Sequence, residues 1–507
     1  MSRGKRYDGE QKLNIKKVFA VIIAIAVIIM FIVGIKKLMK PSDKTDEKVV
    51  ALKYFASYTS DKWGVINSKG ETIINPTYDE TIIIPDNTKG IFICTYDVDY
   101  NNNTYKTKVL NEKNEEIFKN YELVEAIENY DNDNTLWYEK EVLKVKKDGK
   151  YGLIDFKGNQ IAECNYDSIE SLKGTSNSLL TTKDGKKGLI DNTGAVIIQN
   201  EYKDIKAISD KYENGYIVQA SNGKYGVVNW NKTVALETKY DEIKNIYASG
   251  KYYAVKEAGK LEVVDTEGNK YLVGKYDDIT DITGENAVVK KNGKYGLVSI
   301  TDEKSILAIS YQEIKHATAS NYIVKNESKY GIMNTDGVKL IDFKYANIVY
   351  RNTANFYEAT NQDYSSDLID SDMNVKVTGI ISKMNLTDGY MQVRVGEAYK
   401  YYNFKFEEKT SQDILKGNTI FLSKKDGKYG FVNKSGVVVV DYIYDDATEQ
   451  NEFGYASVKK DGLWGCVDSK GQVKIAPSYK LENNALTEFI GKWHLGEDLN
   501  LNYYTDK

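Results

Sequence analysis

Two hydrophobic patterns divide the chain. Residues 18–35 form one uncharged, almost wholly apolar run, bracketed by Lys16 and Lys17 on one side and Lys36 and Lys37 on the other. As a helix rising about 1.5 Å per residue, the run spans ~27 Å, close to the hydrocarbon core of a bilayer. The flanking lysines can reach the headgroups while their stems stay in apolar surroundings. A transmembrane helix over 18–35 is therefore expected, with the lipid bilayer as its partner. After residue 50 the pattern changes. Short stretches alternate apolar and polar positions, as in residues 143–146 and 322–325, and Gly, Asn or Asp interrupts them every few residues. Period two predicts strands, and no long segment there keeps a helical period.

The strand pattern repeats. Trp63-Gly64-Val65-Ile66-Asn67 recurs as Tyr151-Gly152-Leu153-Ile154-Asp155 and as Trp464-Gly465-Cys466-Val467-Asp468. Further copies stand at Gly188, Tyr225-Gly226, Tyr295-Gly296, Tyr330-Gly331 and Tyr429-Gly430, with a worn one at Leu261. A second tyrosine follows 14 residues after the Gly position at Tyr78, Tyr166, Tyr202, Tyr240, Tyr276, Tyr345, Tyr444 and Tyr479, and 15 after it at Tyr311. Three degenerate copies centre near Lys108, Asp367 and Lys400. The anchors thus fall at 64, 108, 152, 188, 226, 262, 296, 331, 367, 400, 430 and 465, about 36 residues apart. The two longest steps flank Lys108 and imply inserted loops at 96–105 and 128–136.

Each copy reads as a hairpin followed by a third strand. Asp-Gly-Lys or Asn-Gly-Lys at 148, 184, 222, 292 and 426 supplies positive-φ residues for a type I′ turn. The Asn or Asp three residues after the anchor glycine makes a second turn by bonding nearby backbone N–H groups. A third apolar strand then runs toward Tyr-Asp-x-Ile. A glycine beside the aromatic lets a ring or another backbone come close. One such unit cannot bury its own apolar face, so stacked neighbours must do so.

The segment Lys62–Gly70 with Ile73–Asp79 resembles the WG repeat family, and the Tyr-Gly copies are similar to its common variant. The resemblance covers roughly 51–480. It implies a bacterial protein of undefined role, often surface-displayed or membrane-anchored, with no catalytic residue to carry over. Lys187, in place of the aromatic, and the copies at Lys108, Asp367 and Lys400 depart from the motif.

Composition sharpens this picture at three points. The 41 Tyr and 38 Gly are largely the repeat counted out. Residues 1–40 carry nine basic and two acidic side chains, a net of +7, whereas the rest carries 60 and 71, a net of −11. An acidic body is repelled by phosphate backbones, so no nucleic acid is expected as a partner. Lysines lie on both sides of the apolar run, and the rule favouring a cytoplasmic positive flank selects a cytoplasmic N-terminus.

Little chemistry stands out. Cys94, Cys164 and Cys466 are odd in number and far apart, which suits small buried hydrophobes better than a disulfide framework or zinc site. His316 and His494 are the two histidines, and neither sits near a nucleophile motif. The Asx row at 67, 155, 191, 229, 265, 334, 433 and 468 matches neither a calcium nonapeptide nor an EF-hand loop. The Tyr-Asp pairs could stack on sugars or could be core. No cofactor, metal or catalytic residue is expected. The site residues are instead the structural motif, namely Trp63, Gly64, Tyr151, Gly152, Gly188, Tyr225, Gly226, Tyr295, Gly296, Tyr330, Gly331, Tyr429, Gly430, Trp464 and Gly465.

The expected organisation is a cytoplasmic segment 1–17, a transmembrane helix 18–35, a charged spacer 36–50, a repeat array 51–480 and a cap or tail 481–507. The expected fold is all-β, about twelve tandem hairpin units in an open superhelical, solenoid-like array. The alternative is two propeller-like rings with a seam in the worn stretch 356–415. The expected function is non-enzymatic binding or scaffolding outside the membrane, toward wall glycan or a protein. A surface hydrolase and a ligand-free spacer are the competing classes.

Overall fold

Alternating apolar positions, with turns every few residues, fold locally into three strands per unit, and the unit around Gly331 shows how. Strand Asn321–Asn326 pairs antiparallel with Lys329–Asn334, which pairs with Lys339–Tyr345. The computed structural model describes residues 53–506, apart from 131–133, 210, 245, 247–249, 387, 397, 416, 481–487 and 497–502. The apolar run 18–35 lies outside the described residues. Among those described, no helix is long and apolar enough to cross a membrane. Residues 51–507 form one compact unit.

All twelve anchors fall on the middle strand of a unit. This includes the three degenerate ones, on Thr104–Asn111, Ser366–Ile369 and Ala398–Asn403. The regular secondary structure is nearly all strand, divided among many small antiparallel sheets, and no sheet among the described residues closes into a barrel.

The third strand does more than finish its unit. Val196–Tyr202 pairs with its own unit, and Asp204–Ala207, one residue on, pairs with the next. At Val375–Asn385 the strand is unbroken: Val375–Gly379 pair backward and Ile380–Asn385 pair forward. In the regular copies the third strand ends at its tyrosine, and the Tyr-Asp-x-Ile segment carries the chain from that sheet into the next.

Packing follows from the period of two. Successive side chains on a middle strand point to opposite faces, so one apolar residue faces the following unit and the next faces the preceding one. Val227 packs among Tyr253 and Val264 of the following sheet, while Val228 packs among Leu189 and Ile205 on the other side. Leu297 and Val298 divide in the same way, as do Leu153 and Ile154. The core is thus a series of apolar layers, each sandwiched between consecutive units.

The two ends of this series meet, which corrects the expected open array. Phe489–Ile490, Trp493–Leu495 and Tyr504–Thr505 form strands that extend the first sheet, with Ser57 opposite Tyr504 in parallel. Trp493 Nε1 donates to Gly70 O at 3.1 Å, Tyr503 packs edge-on against Trp63, and Ile66 joins Ile490, Trp493 and Tyr504 in one cluster. The physical reason is that Ile66 is the backward-facing apolar residue of the first unit. Without a preceding unit it needs a partner, and the terminal hairpin supplies one. Most of the stretch 356–415 belongs to one continuous seven-stranded sheet, Asn347–Lys409, and the break in the series lies at the end of that stretch. It falls at the short helix Ser411–Ile414.

Turn chemistry holds at four of the five Asp/Asn-Gly-Lys sites, where both residues have positive φ, as at Asp148 (51°) and Gly149 (75°). Asn222 is the exception. Its turn is longer, with Gly223 N donating to Ala220 O and Lys224 N to Asn222 Oδ1, so only Gly223 is left-handed.

Candidate functional site

The motif residues occupy equivalent positions in every copy. A Cβ placed on Gly64 would lie 2.5 Å from Ile74 O, and on Gly331 2.6 Å from Ile341 O. Gly152, Gly188, Gly226, Gly296, Gly430 and Gly465 meet the corresponding carbonyl of their own third strand at 2.4–2.9 Å. The third strand bulges over the glycine at this point, skipping it in the register. The aromatic before the glycine sits opposite the second tyrosine across the ladder: Trp63 and Tyr78, Tyr225 and Tyr240, Tyr330 and Tyr345, Trp464 and Tyr479. Lys187, which replaces the aromatic, still faces Tyr202 and pairs with Asp204 at 2.7 Å.

These aromatics do not present free faces. Trp63, Tyr240, Tyr345, Tyr444 and Trp464 are buried. Four of the half-exposed rings are covered by a lysine from the neighbouring strand: Lys146 on Tyr151, Lys290 on Tyr295, Lys325 on Tyr330 and Lys424 on Tyr429, at 4.7–5.4 Å from the ring centre. Such contacts hold a ring by cation–π attraction and occupy the surface that a sugar would stack on.

The Asx row is a row of turns. Asp155 Oδ1 accepts from Lys157 N and Asn159 N, both at 2.8 Å, and Asp468, Asn334 and Asn433 each accept from the same two positions. Among the described residues no group of His, Cys, Asp and Glu is placed to hold a metal.

The aspartate of Tyr-Asp has a role that sequence reasoning missed. Asp241 accepts from Gly259 N at 3.4 Å, Asp277 from Asn292 N at 2.7 Å and Asp445 from Asp461 N at 2.8 Å. In each case the donor lies in the hairpin turn of the next unit. Asp167, Asp241 and Asp445 also pair with the lysine of their own turn, Lys150, Lys224 and Lys428. These lysines, together with the backbone donors, hold the three carboxyls below the usual carboxylate range.

The histidines and cysteines are interior groups. His316 Nδ1 is 2.7 Å from Thr283 Oγ1, which donates to Asp281 at 2.9 Å. Burial raises Asp281 to about 6 and lowers His316. The trio bridges two neighbouring sheets. His494 packs against Tyr479 at 4.5 Å. Cys94 and Cys466 are buried, and burial pushes their thiols to about 11 and about 12, far from the thiolate form.

Where two long hairpins enlarge the repeat, a cleft opens. The long hairpin Ile91–Asp99 and Thr104–Asn111 and the long hairpin Leu123–Tyr130 and Leu136–Lys147 are the two insertions. Together with the strand Ser168–Ser171 they border a cleft of about 590 Å³. Ile83, Ile93, Ala126, Ile127 and Ile169 give it an apolar floor, and Glu80, Glu125, Glu128, Glu170, Lys144 and Lys173 ring it with charge. Its hydrogen-bond donors are largely engaged. Tyr100 donates to Glu80, Tyr105 to Glu125, and Tyr130 to Glu128 at 3.1 Å. Lys144 Nζ lies 2.8 Å from Glu125, and Thr107 donates to Val124 O at 2.9 Å. Burial and Glu125 together raise Tyr105. Each carboxylate has acceptor sites to spare, so the cleft offers acceptors over an apolar floor. The two insertions were legible as long steps in the repeat, but nothing in the sequence showed that they face one another.

Comparison with known proteins adds the following. The family described as WG containing repeat matches residues 63–91, 151–174, 263–295 and 429–464, so repeats of this type stand at four places. No curated protein matches the sequence. Among solved structures, an alignment with a eukaryotic initiation factor has 11% identity, covers 75% of this chain and 96% of that chain, and has a TM-score of 0.27. Kluyveromyces lactis Hsv2p aligns at 8% identity over 61% of this chain and 98% of its own, with a TM-score of 0.24. PorZ, a surface component of the type-IX secretion system of Porphyromonas gingivalis, aligns at 9% identity over 73% and 62%, with a TM-score of 0.23. Scores this low describe no shared overall arrangement, and none of these likenesses bears on fold or function.

Proposed function

We propose that the protein is a non-enzymatic binding or scaffold module. Residues 18–35 anchor it in a bacterial cell membrane, with 1–17 cytoplasmic and the repeat unit displayed outside. The observation that carries the binding role is the cleft. Two insertions interrupt an otherwise regular repeat, and both border the same apolar-floored concavity. Convergent polar groups over an apolar floor are the usual make-up of a ligand pocket. Because the donors are largely engaged internally and carboxylate acceptors remain, the cleft favours a ligand that donates hydrogen bonds, such as the hydroxyls of wall glycan or the amine groups of a protein partner. Anionic polymers are disfavoured by the same carboxylates. The motif aromatics, paired or covered by lysine, serve stacking of units instead of ligand contact.

The test is retention of the full chain on purified cell wall and on solubilised membrane proteins. The doubly changed Tyr105→Ala, Glu128→Gln chain is compared with the parent. Binding to either material that falls at least tenfold in the variant supports this reading. Equal retention of parent and variant overturns the cleft as the seat. Retention on neither material supports a spacer, and release of soluble wall fragments by the parent chain supports a hydrolase.

A further inference from the structure

Every junction between consecutive units from 54 to 402 and from 420 to 467 is filled by an apolar cluster, but no cluster among the described residues spans the step from the sheet ending at Lys409 to the sheet beginning at Ile420. The reason lies in the chain between them. At most other junctions the crossing segment supplies a leading strand to the next sheet, as Asp204–Ala207 does for Tyr216–Gln219, and at the sheet Ile91–Ile117 a single bridge, Ile83 opposite Ile93, stands in its place. Here the chain turns through the helix Ser411–Ile414, closed by a Thr410–Asp413 capping box, and the sheet Ile420–Tyr444 has three strands only.

The vacant edge of Ile420–Lys425 is covered by side chains of the following unit. Glu449 Oε2 accepts from Leu422 N at 3.1 Å, and Gln450 Oε1 accepts from Thr419 N at 2.9 Å and Ile420 N at 3.2 Å. A carboxylate and an amide thus stand where backbone carbonyls would be. The Tyr401 hydroxyl also donates to Glu449, and Gln392 Nε2 donates to Tyr401 at 3.1 Å. A polar chain therefore crosses this junction in place of an apolar layer. Among the described residues no cation touches Glu449: Lys383 acts on it only through space, and Tyr401, with Tyr390 behind it, is the other titratable group facing it.

We propose that this junction is a pH-governed joint, closed while Glu449 is protonated and loosened as it ionises. A protonated carboxyl keeps its acceptor for Leu422 N without a buried charge. An ionised one leaves a charge in a half-buried junction with no contacting counter-ion among the described residues, an unfavourable state. Desolvation raises Glu449 to about 7. The sign follows from linkage: a carboxyl raised in the folded state stabilises the joint at low pH, and that contribution is lost as pH rises through its folded value. In the limiting case, opening grows roughly tenfold per pH unit between the ordinary carboxyl range and the folded value, and levels off above it. The device would report a change between mildly acidic and neutral surroundings.

Hydrogen exchange of the full chain tests this, following residues 419–424 from pH 5 to pH 8 and corrected for intrinsic exchange. Opening in the parent should rise at least tenfold across that range. Glu449→Gln, fixed in the uncharged form, should remain protected throughout. Tyr401→Phe, which removes the donor to the ionised form, should shift the midpoint upward. A flat profile in the parent, or the same rise in Glu449→Gln, overturns the proposal. If Glu449→Gln does not fold, the Tyr401→Phe profile decides, and an unshifted midpoint overturns it.

Discussion

At the scale of single residues, the anchor glycine is a steric requirement and not a flexible joint. The carbonyl of the bulged third strand occupies the space of its missing Cβ. At Gly331 that carbonyl would be 2.6 Å away, and it is backbone, which cannot rotate aside. Gly331→Ala should therefore destabilise the repeat unit by about 1–3 kcal/mol, the usual cost of forcing extra atoms into a packed site, measured by chemical denaturation. Gly427→Ala is the control for space, since nothing lies within 4 Å of its Cβ position and only its positive φ resists. The motif was legible because the same steric demand is repeated eight times. Glu449 was not legible, since its meaning depends on a strand that is absent.

At the scale of elements, Tyr-Asp ends one strand and begins the crossing to the next sheet. The tyrosine closes one ladder opposite the motif aromatic, and the aspartate one step later fastens the next hairpin turn. Read along the sequence, the turn lysine and the aspartate, 17 residues apart in the pairs Lys224–Asp241 and Lys428–Asp445, belong to different stretches; the ladder brings them together. The three carboxyls are held low, so their contribution is present above the ordinary carboxylate range and is lost as pH falls through their folded values. Acidification should free the turns first. Exchange at Gly185, Gly259 and Asp461 should rise on going from pH 5 toward pH 3, and in Asp445→Asn the acid response at Asp461 should disappear while that at Gly259 persists.

At the scale of the whole repeat unit, 51–507, the terminal hairpin decides how the array ends. Strand content, unit number and the alternation of faces were all legible, because they are periodic. The meeting of the ends was not, because 489–505 lacks the motif and its partners stand more than 400 residues upstream. The hairpin imitates a preceding unit closely. Gly194 lies against Ile161 O and Gly337 against Ile306 O of the preceding third strand, and Gly70 lies against Ile490 O in the same way. Trp493→Ala should remove a fully buried ring and cost about 3–5 kcal/mol. Protection should fall first in Tyr54–Thr59 and Lys62–Asn67, and last in units far from the junction, by residue-resolved exchange.

The contact between first and last strands also bears on ancestry. An open stack of similar modules can lengthen or shorten by one copy, since each copy touches only its neighbours. Here the loss or duplication of one copy would carry the final hairpin away from Gly70 and leave Ile66 and Trp493 facing water. Relatives that keep the final hairpin should therefore keep the copy number, and differ in loop length and in the wearing of individual motifs of the kind seen at Lys108, Asp367 and Lys400.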